Sequence, residues 1–169
     1  MSSTETKDTS ARFTFFYRAN SPFSQFHPAV FWEDEIKFLK AEQYMMYHKA
    51  KLFGDTEIAE KILKETSPTK IKGLGRKVKG FSEDIWQQNR EIIVKKGSML
   101  KFSQNKHLKQ VLLETGNTTL VEASPGDRIW GIGMAIGTPG IDDEKNWEGK
   151  NLLGKLLTEV REEIKLLEK

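Results

Sequence analysis

The run Phe13-Thr14-Phe15-Phe16-Tyr17 is aromatic and β-prone, and it reads as a strand. Residues 18–28 carry Asn20, Ser21, Pro22, Ser24 and Pro28, which predicts an ordered loop with Phe23 and Phe26 as anchors. Residues 30–38 predict a short strand or hairpin. From Ala41 the spacing becomes helical. Residues 41–52 place Tyr44, Met45, His48 and Leu52 along one stripe, and Gly54 ends the helix. Residues 56–63 predict a second helix with Ile58, Ile62 and Leu63 inward. Ser67-Pro68 starts a third, since proline is tolerated in a first turn. Ser82-Glu83-Asp84 opens a long helix, its acidic residues suited to the positive end of the dipole. There Ile85, Trp86, Ile92, Ile93, Met99 and Leu100 keep helical spacing through Phe102. Residues 108–113 form a short helix closed by Thr115-Gly116-Asn117, and 119–122 a strand.

Residues 123–140 are rich in glycine and proline around Trp130, Ile132 and Met134. A long patternless segment inside a compact domain is more often functional than accidental. Residues 151–167 predict an amphipathic helix burying Leu152, Leu153, Leu156, Leu157, Val160 and Ile164. The pattern as a whole predicts an α+β fold, predominantly helical, with a few short strands. It forms a single compact domain over 12–169 behind a flexible tail, 1–11.

Composition narrows the function classes. The 169 residues are 37% hydrophobic and 30% charged, as expected of a globular chain with one core. No apolar run approaches the roughly 20 residues needed to span a bilayer. The first nine residues are polar and lack the layout of a secretory signal. Cysteine is absent, which excludes disulfides, thiolate chemistry and cysteine-based zinc sites. The histidines at 27, 48 and 107 are too scattered to suggest a metal centre. A cytoplasmic location is the expectation, with no membrane and no obligate protein partner.

The net charge of +3 is concentrated between Lys61 and Lys79. There Lys61, Lys64, Lys70, Lys72, Arg76, Lys77 and Lys79 are opposed only by Glu65. Such a surface suits a phosphate-bearing ligand or a nucleic-acid backbone, or is a solvated lysine face.

Two constellations carry candidate chemistry. Glu42 and Lys49, seven residues apart on one helix, project from nearly the same face about 10 Å apart along the axis. They approach one ligand from two sides, or they are solvated charges on an amphipathic helix. The second constellation is Leu-Val-Glu-Ala-Ser-Pro-Gly-Asp-Arg-Ile-Trp-Gly-Ile-Gly, 120–133, with Glu122, Ser124, Asp127, Arg128 and Trp130. Trp130 offers a stacking face and Gly131 and Gly133 a close backbone approach, or Asp127 satisfies local donors in an ordered turn. Trp86 is either core or a ligand shelf.

Ordered blocks then carry a resemblance. They are Ser-Pro-Phe-Ser-Gln-Phe-His-Pro (21–28), Ala-Glu-Gln-Tyr-Met-Met-Tyr-His-Lys-Ala (41–50), Gly-Arg-Lys-Val (75–78), Trp86, the 120–133 segment and Trp-Glu-Gly-Lys-Asn-Leu-Leu-Gly-Lys-Leu-Leu (147–157). Together they resemble the NADAR family, the YbiA-like N-glycosidases. The resemblance implies hydrolysis of a bond between ribose C1 and nitrogen. It points to two substrate groups: ADP-ribose attached to guanine in nucleic acid, including DNA, and ribosylaminopyrimidine phosphates of riboflavin biosynthesis.

The family's functional positions fall on Glu42, Lys49, Trp86 and Asp127; Arg18, Arg76, Glu122, Trp130 and Asn151 join them as substrate-binding candidates. Where members show Ser-Asn-Phe, this chain has Ser24-Gln25-Phe26.

In the implied chemistry, Glu42 or Asp127 stabilises positive charge on the ribose and moves a proton. Lys49 acts as a cation or as an amine nucleophile. Trp86 and Trp130 stack, and Arg18 and Arg76 fork onto phosphate. No metal or cofactor is required. The rival readings are a module that binds ADP-ribose or a nucleotide without cleaving it, and a basic nucleic-acid-binding protein.

Overall fold

The structure, a computed structural model, describes residues 11–169. The expected tail, all but Ala11, lies outside the described residues. The chain divides into two compact units, Gln25–Gln110 and the remainder, in which the segment up to Ser24 joins Val111–Lys169.

The first is a helical unit. It opens with a hairpin, β2 (Phe31–Glu33) against β3 (Ile36–Phe38), antiparallel with Phe31 opposite Phe38. The two rings meet at 5.7 Å and lie against Tyr44 of helix α1 (Ala41–Leu52). Gln43 secures the start of α1: its Oε1 accepts from Leu39 N at 2.7 Å and its Nε2 donates to Ile62 O at 3.0 Å. Asp55 caps α2 (Thr56–Lys64) and also accepts from Lys79 N, fastening the segment that follows α3 (Pro68–Arg76). Ser67 caps α3 and Ser82 caps α4 (Glu83–Gln104), as their sequence signals predict.

Helices α1 and α4 pack closely because Gly97 has no side chain: a Cβ there would lie 2.6 Å from Tyr44 Cδ1. The apolar spacing of α4 overstated its buried face. Ile85 and Ile92 are exposed, and Arg90, Gly97, Ser98 and Lys101 take buried positions instead. Helix α5 (Lys106–Leu113) leads out of this unit.

The second is a strand unit. Strands β1 (Phe13–Phe16) and β4 (Thr119–Glu122) pair in parallel, with Phe16 opposite Glu122. Parallel pairing puts the C-terminal ends side by side, so the loops after both strands leave from one edge. Helix α6 (Leu152–Leu167) lies directly on β4, where a Cβ on Gly154 would collide with the Leu120 carbonyl. Thr158 Oγ1 accepts from Leu120 N at 3.0 Å and completes that contact. The buried face of α6 is as its pattern predicts, except that Leu152 is half-buried. The expected irregular segment after β4 is a chain of turns around a core of Val121, Ala123, Ile132, Met134 and Ile141.

Among the described residues no helix is long and apolar enough to cross a membrane.

Candidate active site

In the helical unit, Glu42 stands in the first turn of α1 and Lys49 in the last. Glu42 is 4% exposed, so it is no solvated surface charge. Its backbone N–H donates to Gln25 O at 2.9 Å. The position where the chain departs from the Ser-Asn-Phe pattern therefore holds Glu42 through its main chain, a bond that asparagine would make equally well.

Lys49 is half-buried, and burial draws its amine below the usual lysine range. The charges of Glu83 and Glu42 pull it back up, and that of Arg76 pushes it down. Four of the nominated residues thus converge here, because Trp86 stands with its ring centroid 5.8 Å from Lys49 Nζ. Trp86 is 8% exposed, so most of it belongs to the core.

Three features of this site escaped sequence reasoning. Phe81 lies 4.7 Å from Lys49 Nζ, on the turn before α4. Glu83 adds a second negative charge near the amine. Glu33, on β2, ties α1 to α4. Its Oε1 meets His48 Nε2 at 2.7 Å, while Oε2 accepts from Tyr44 OH at 2.8 Å and faces Lys96 Nζ at 3.2 Å. Burial pushes the Glu33 carboxyl up, but the hydrogen bonds from Tyr44, His48 and Lys96 leave it below the usual range. Burial and the Glu33 carboxylate hold the Tyr44 phenol well above its usual value. The available signal was the i, i+4 pair Tyr44 and His48 behind a β-hairpin acid.

In the strand unit, Glu122 ends β4. Burial, and then the charge of Asp127, raise its carboxyl to about 7. Its Oε2 is buried and has no hydrogen-bond partner among the described residues. Its backbone is fixed on both sides: Ile132 N donates to Glu122 O at 2.9 Å, and Glu122 N donates to Asn151 Oδ1 at 3.0 Å.

Asn151 is fully buried at φ 55°, and its Nδ2 donates to Leu120 O at 3.1 Å. Its amide is therefore committed to β4. Asp127 Oδ1 accepts from Ile129 N and Trp130 N, both at 2.9 Å, so it organises the turn that carries half-buried Trp130. Arg18 is exposed in the loop after β1, at φ 76°. Glu122, Asp127, Trp130 and Asn151 thus gather on this unit around the end of β4, with Arg18 just past the end of the neighbouring strand. Among the described residues no group of three or more acidic or histidine side chains could hold a metal.

Comparison with known proteins places the chain in a family. A family model described as the NADAR domain matches residues 14–165. An N-glycosidase of Acanthamoeba polyphaga mimivirus is 47% identical, over 90% of this chain and 96% of its own. Protein irg-1 of Caenorhabditis elegans is 42% identical, over 94% and 82% respectively. The solution structure of the E. coli protein YbiA superposes with a TM-score of 0.76 at 28% identity, over 93% of this chain and 87% of that one. The expected α+β, predominantly helical, YbiA-like fold is borne out. Through both units the chain belongs to the NADAR family, and its enzyme class is the N-glycosidases, hydrolases acting on N-glycosyl bonds.

Proposed function

We propose that the protein hydrolyses the bond between ribose C1 and a base nitrogen in a phosphate-bearing compound, with Lys49 as attacking amine and Glu42 as proton carrier. The observation that carries this reading is the half-buried Lys49, its amine lowered by burial and lying within the field of Glu42. A lowered lysine spends more of its time as the neutral nucleophile.

In the first step the amine nitrogen bonds to C1. The C1–N bond to the base breaks, and its electron pair leaves with the base nitrogen. As the imine forms, the C1–O bond of the ring breaks and its oxygen takes one of the two protons that the amine gives up. Glu42 takes a proton from the amine and delivers one to the departing base. Water then adds to C1 of the imine, the lysine amine leaves, and the ribose is released with the water oxygen at C1. The net reaction consumes one water and needs no oxidant or metal.

ADP-ribosylated guanine in nucleic acid is the substrate we favour. Arg76 acts on Lys49 from the end of α3, and exposed Lys70, Lys72, Lys77 and Lys79 extend the positive surface over α3 and the following turn, whereas Lys61 and Lys64 on α2 are balanced by Glu57 and Glu60. That is more cation than a single phosphate needs, and it matches a polyanionic backbone. Ribosylaminopyrimidine phosphates of riboflavin biosynthesis are the second substrate group. A module that only binds the ligand would use Trp86 and Arg76, but would have no use for a buried acid beside a lowered amine. The proposed setting is the cytoplasm, in keeping with the cysteine-free chain.

The test is a release assay read by mass spectrometry on an oligonucleotide carrying ADP-ribosylated guanine and on a ribosylaminopyrimidine phosphate. Unmodified guanine regenerated by wild type and not by Glu42→Gln is the expected result. Base release from the pyrimidine alone moves the function to metabolite clearance. Binding without release of either base supports the non-catalytic module.

A further inference from the structure

Two aromatic rings of opposite accessibility stand beside Lys49. The Trp86 centroid is 5.8 Å from its Nζ and the Phe81 centroid 4.7 Å, both within reach of a cation–π contact. Trp86 is 8% exposed, whereas Phe81 is 42% exposed.

Phe81 follows Gly80, whose φ of 77° turns the chain in a conformation that favours glycine, and it precedes Ser82, the cap of α4. An apolar residue just before a helix cap ordinarily folds onto the first turn as a staple. Phe81 leaves much of its ring open. Its support comes from Phe53, with centroids 5.3 Å apart and planes inclined at 57°. Exposure by itself says little, since single apolar side chains are common on surfaces. What sets Phe81 apart is the half-buried amine at its face.

We propose that Phe81 is a specificity-determining residue that stacks on the base being released. This rests on the reading of Lys49 as the group that attacks C1. The base nitrogen is bonded to that same carbon, so the base must lie within a few ångströms of Nζ, where the open ring stands. A phenylalanine presents no hydrogen-bonding code. It therefore selects for a flat aromatic leaving group rather than for one particular base, as stacking platforms do for nucleobases. Trp86, being buried, supplies the fixed wall, and Phe81 supplies the face that meets solvent and ligand.

The experiment compares wild type, Phe81→Leu and Phe81→Tyr. It reads KM and kcat for ADP-ribosylated guanine in an oligonucleotide, and Ki for ADP-ribose, which keeps its adenine but lacks the guanine at the attacked C1. The expected result for Phe81→Leu is a KM raised by about tenfold or more, with kcat within about threefold and the Ki for ADP-ribose unchanged. Phe81→Tyr restores KM. An unchanged KM in Phe81→Leu overturns the proposal. So does a parallel rise of KM and Ki, the signature of a merely structural ring. If wild type binds the oligonucleotide without cleaving it, the hydrolase reading falls alone, and the same comparison is made from dissociation constants. If it binds neither ligand, both fall.

Discussion

Lys49 in the helical unit and Glu122 in the strand unit are both moved toward neutrality by burial, one downward and the other up to about 7. They are held in different ways. Lys49 extends from a helix whose first turn is fixed by Gln43 and whose middle is tied by Glu33 to Tyr44 and His48. Its surroundings are side chains: two rings, two acids and an arginine. Glu122 ends a strand, and its main chain is pinned by Ile132 and Asn151 while its carboxyl meets mainly desolvation and the charge of Asp127. The first group is an amine set among side chains on a helix. The second is built to hold a proton on a rigid backbone.

The largest effect is expected of Glu42→Gln. It is expected to lower kcat by about a hundredfold to ten-thousandfold, the range for losing a proton-transfer group, with the circular dichroism spectrum unchanged. Loss of folding would instead make Glu42 a structural acid. Next comes Asn151→Ala, which strips hydrogen bonds from Glu122 N and Leu120 O in the buried end of β4. Leaving such groups unsatisfied costs about 2–4 kcal/mol for the pair, read from urea denaturation. Asn151→Asp keeps the bond to Glu122 N but turns a carboxylate oxygen on the Leu120 carbonyl in a fully buried site, so it should cost at least as much.

The smaller effect is in the pH dependence of stability. The folded carboxyl of Glu122 lies near 7, above its ordinary 4.5, so the folded chain binds the proton more tightly. Its contribution is complete below pH 4.5 and is lost as pH rises through 7. At about 1.4 kcal/mol per pKa unit, the ceiling is about 3 kcal/mol, less what partial exposure screens. Lys49 slopes the opposite way. Its folded amine lies below 10.5, so its contribution is complete above that pH and lost as pH falls through the lowered value. Denaturation curves across pH should therefore flatten on the acid side in Glu122→Gln and on the alkaline side in Lys49→Gln.

Helix and strand positions were largely legible because caps and periods are local. Ser67, Ser82 and Gly54 bounded their helices from neighbouring residues alone, and Ala41–Leu52 matches the expected span. The pairing of β1 with β4 was not legible, since more than a hundred residues separate Phe13 from Thr119. The side of α4 that faces inward was misjudged for a related reason. Ile85 and Ile92 follow the helical period, but the packing partner is Tyr44 of α1, and that partner selects the face bearing Gly97.

In the site, the seven-residue spacing of Glu42 and Lys49 was visible, while their burial was not. Phe81 escaped because its meaning lies in the neighbour across the fold. Glu33 escaped because an acid on a hairpin reads as solvated until the helices are packed against it.

The most direct measurement is borohydride reduction during turnover, followed by peptide mapping. Lys101 is a stringent control, because its amine is also lowered by burial, to about 7, yet it is 1% exposed. A reduced ribosyl adduct is expected on the peptide at Lys49, none at Lys101, and none in Lys49→Arg. Base released at full rate without an adduct at Lys49 would contradict attack by this amine.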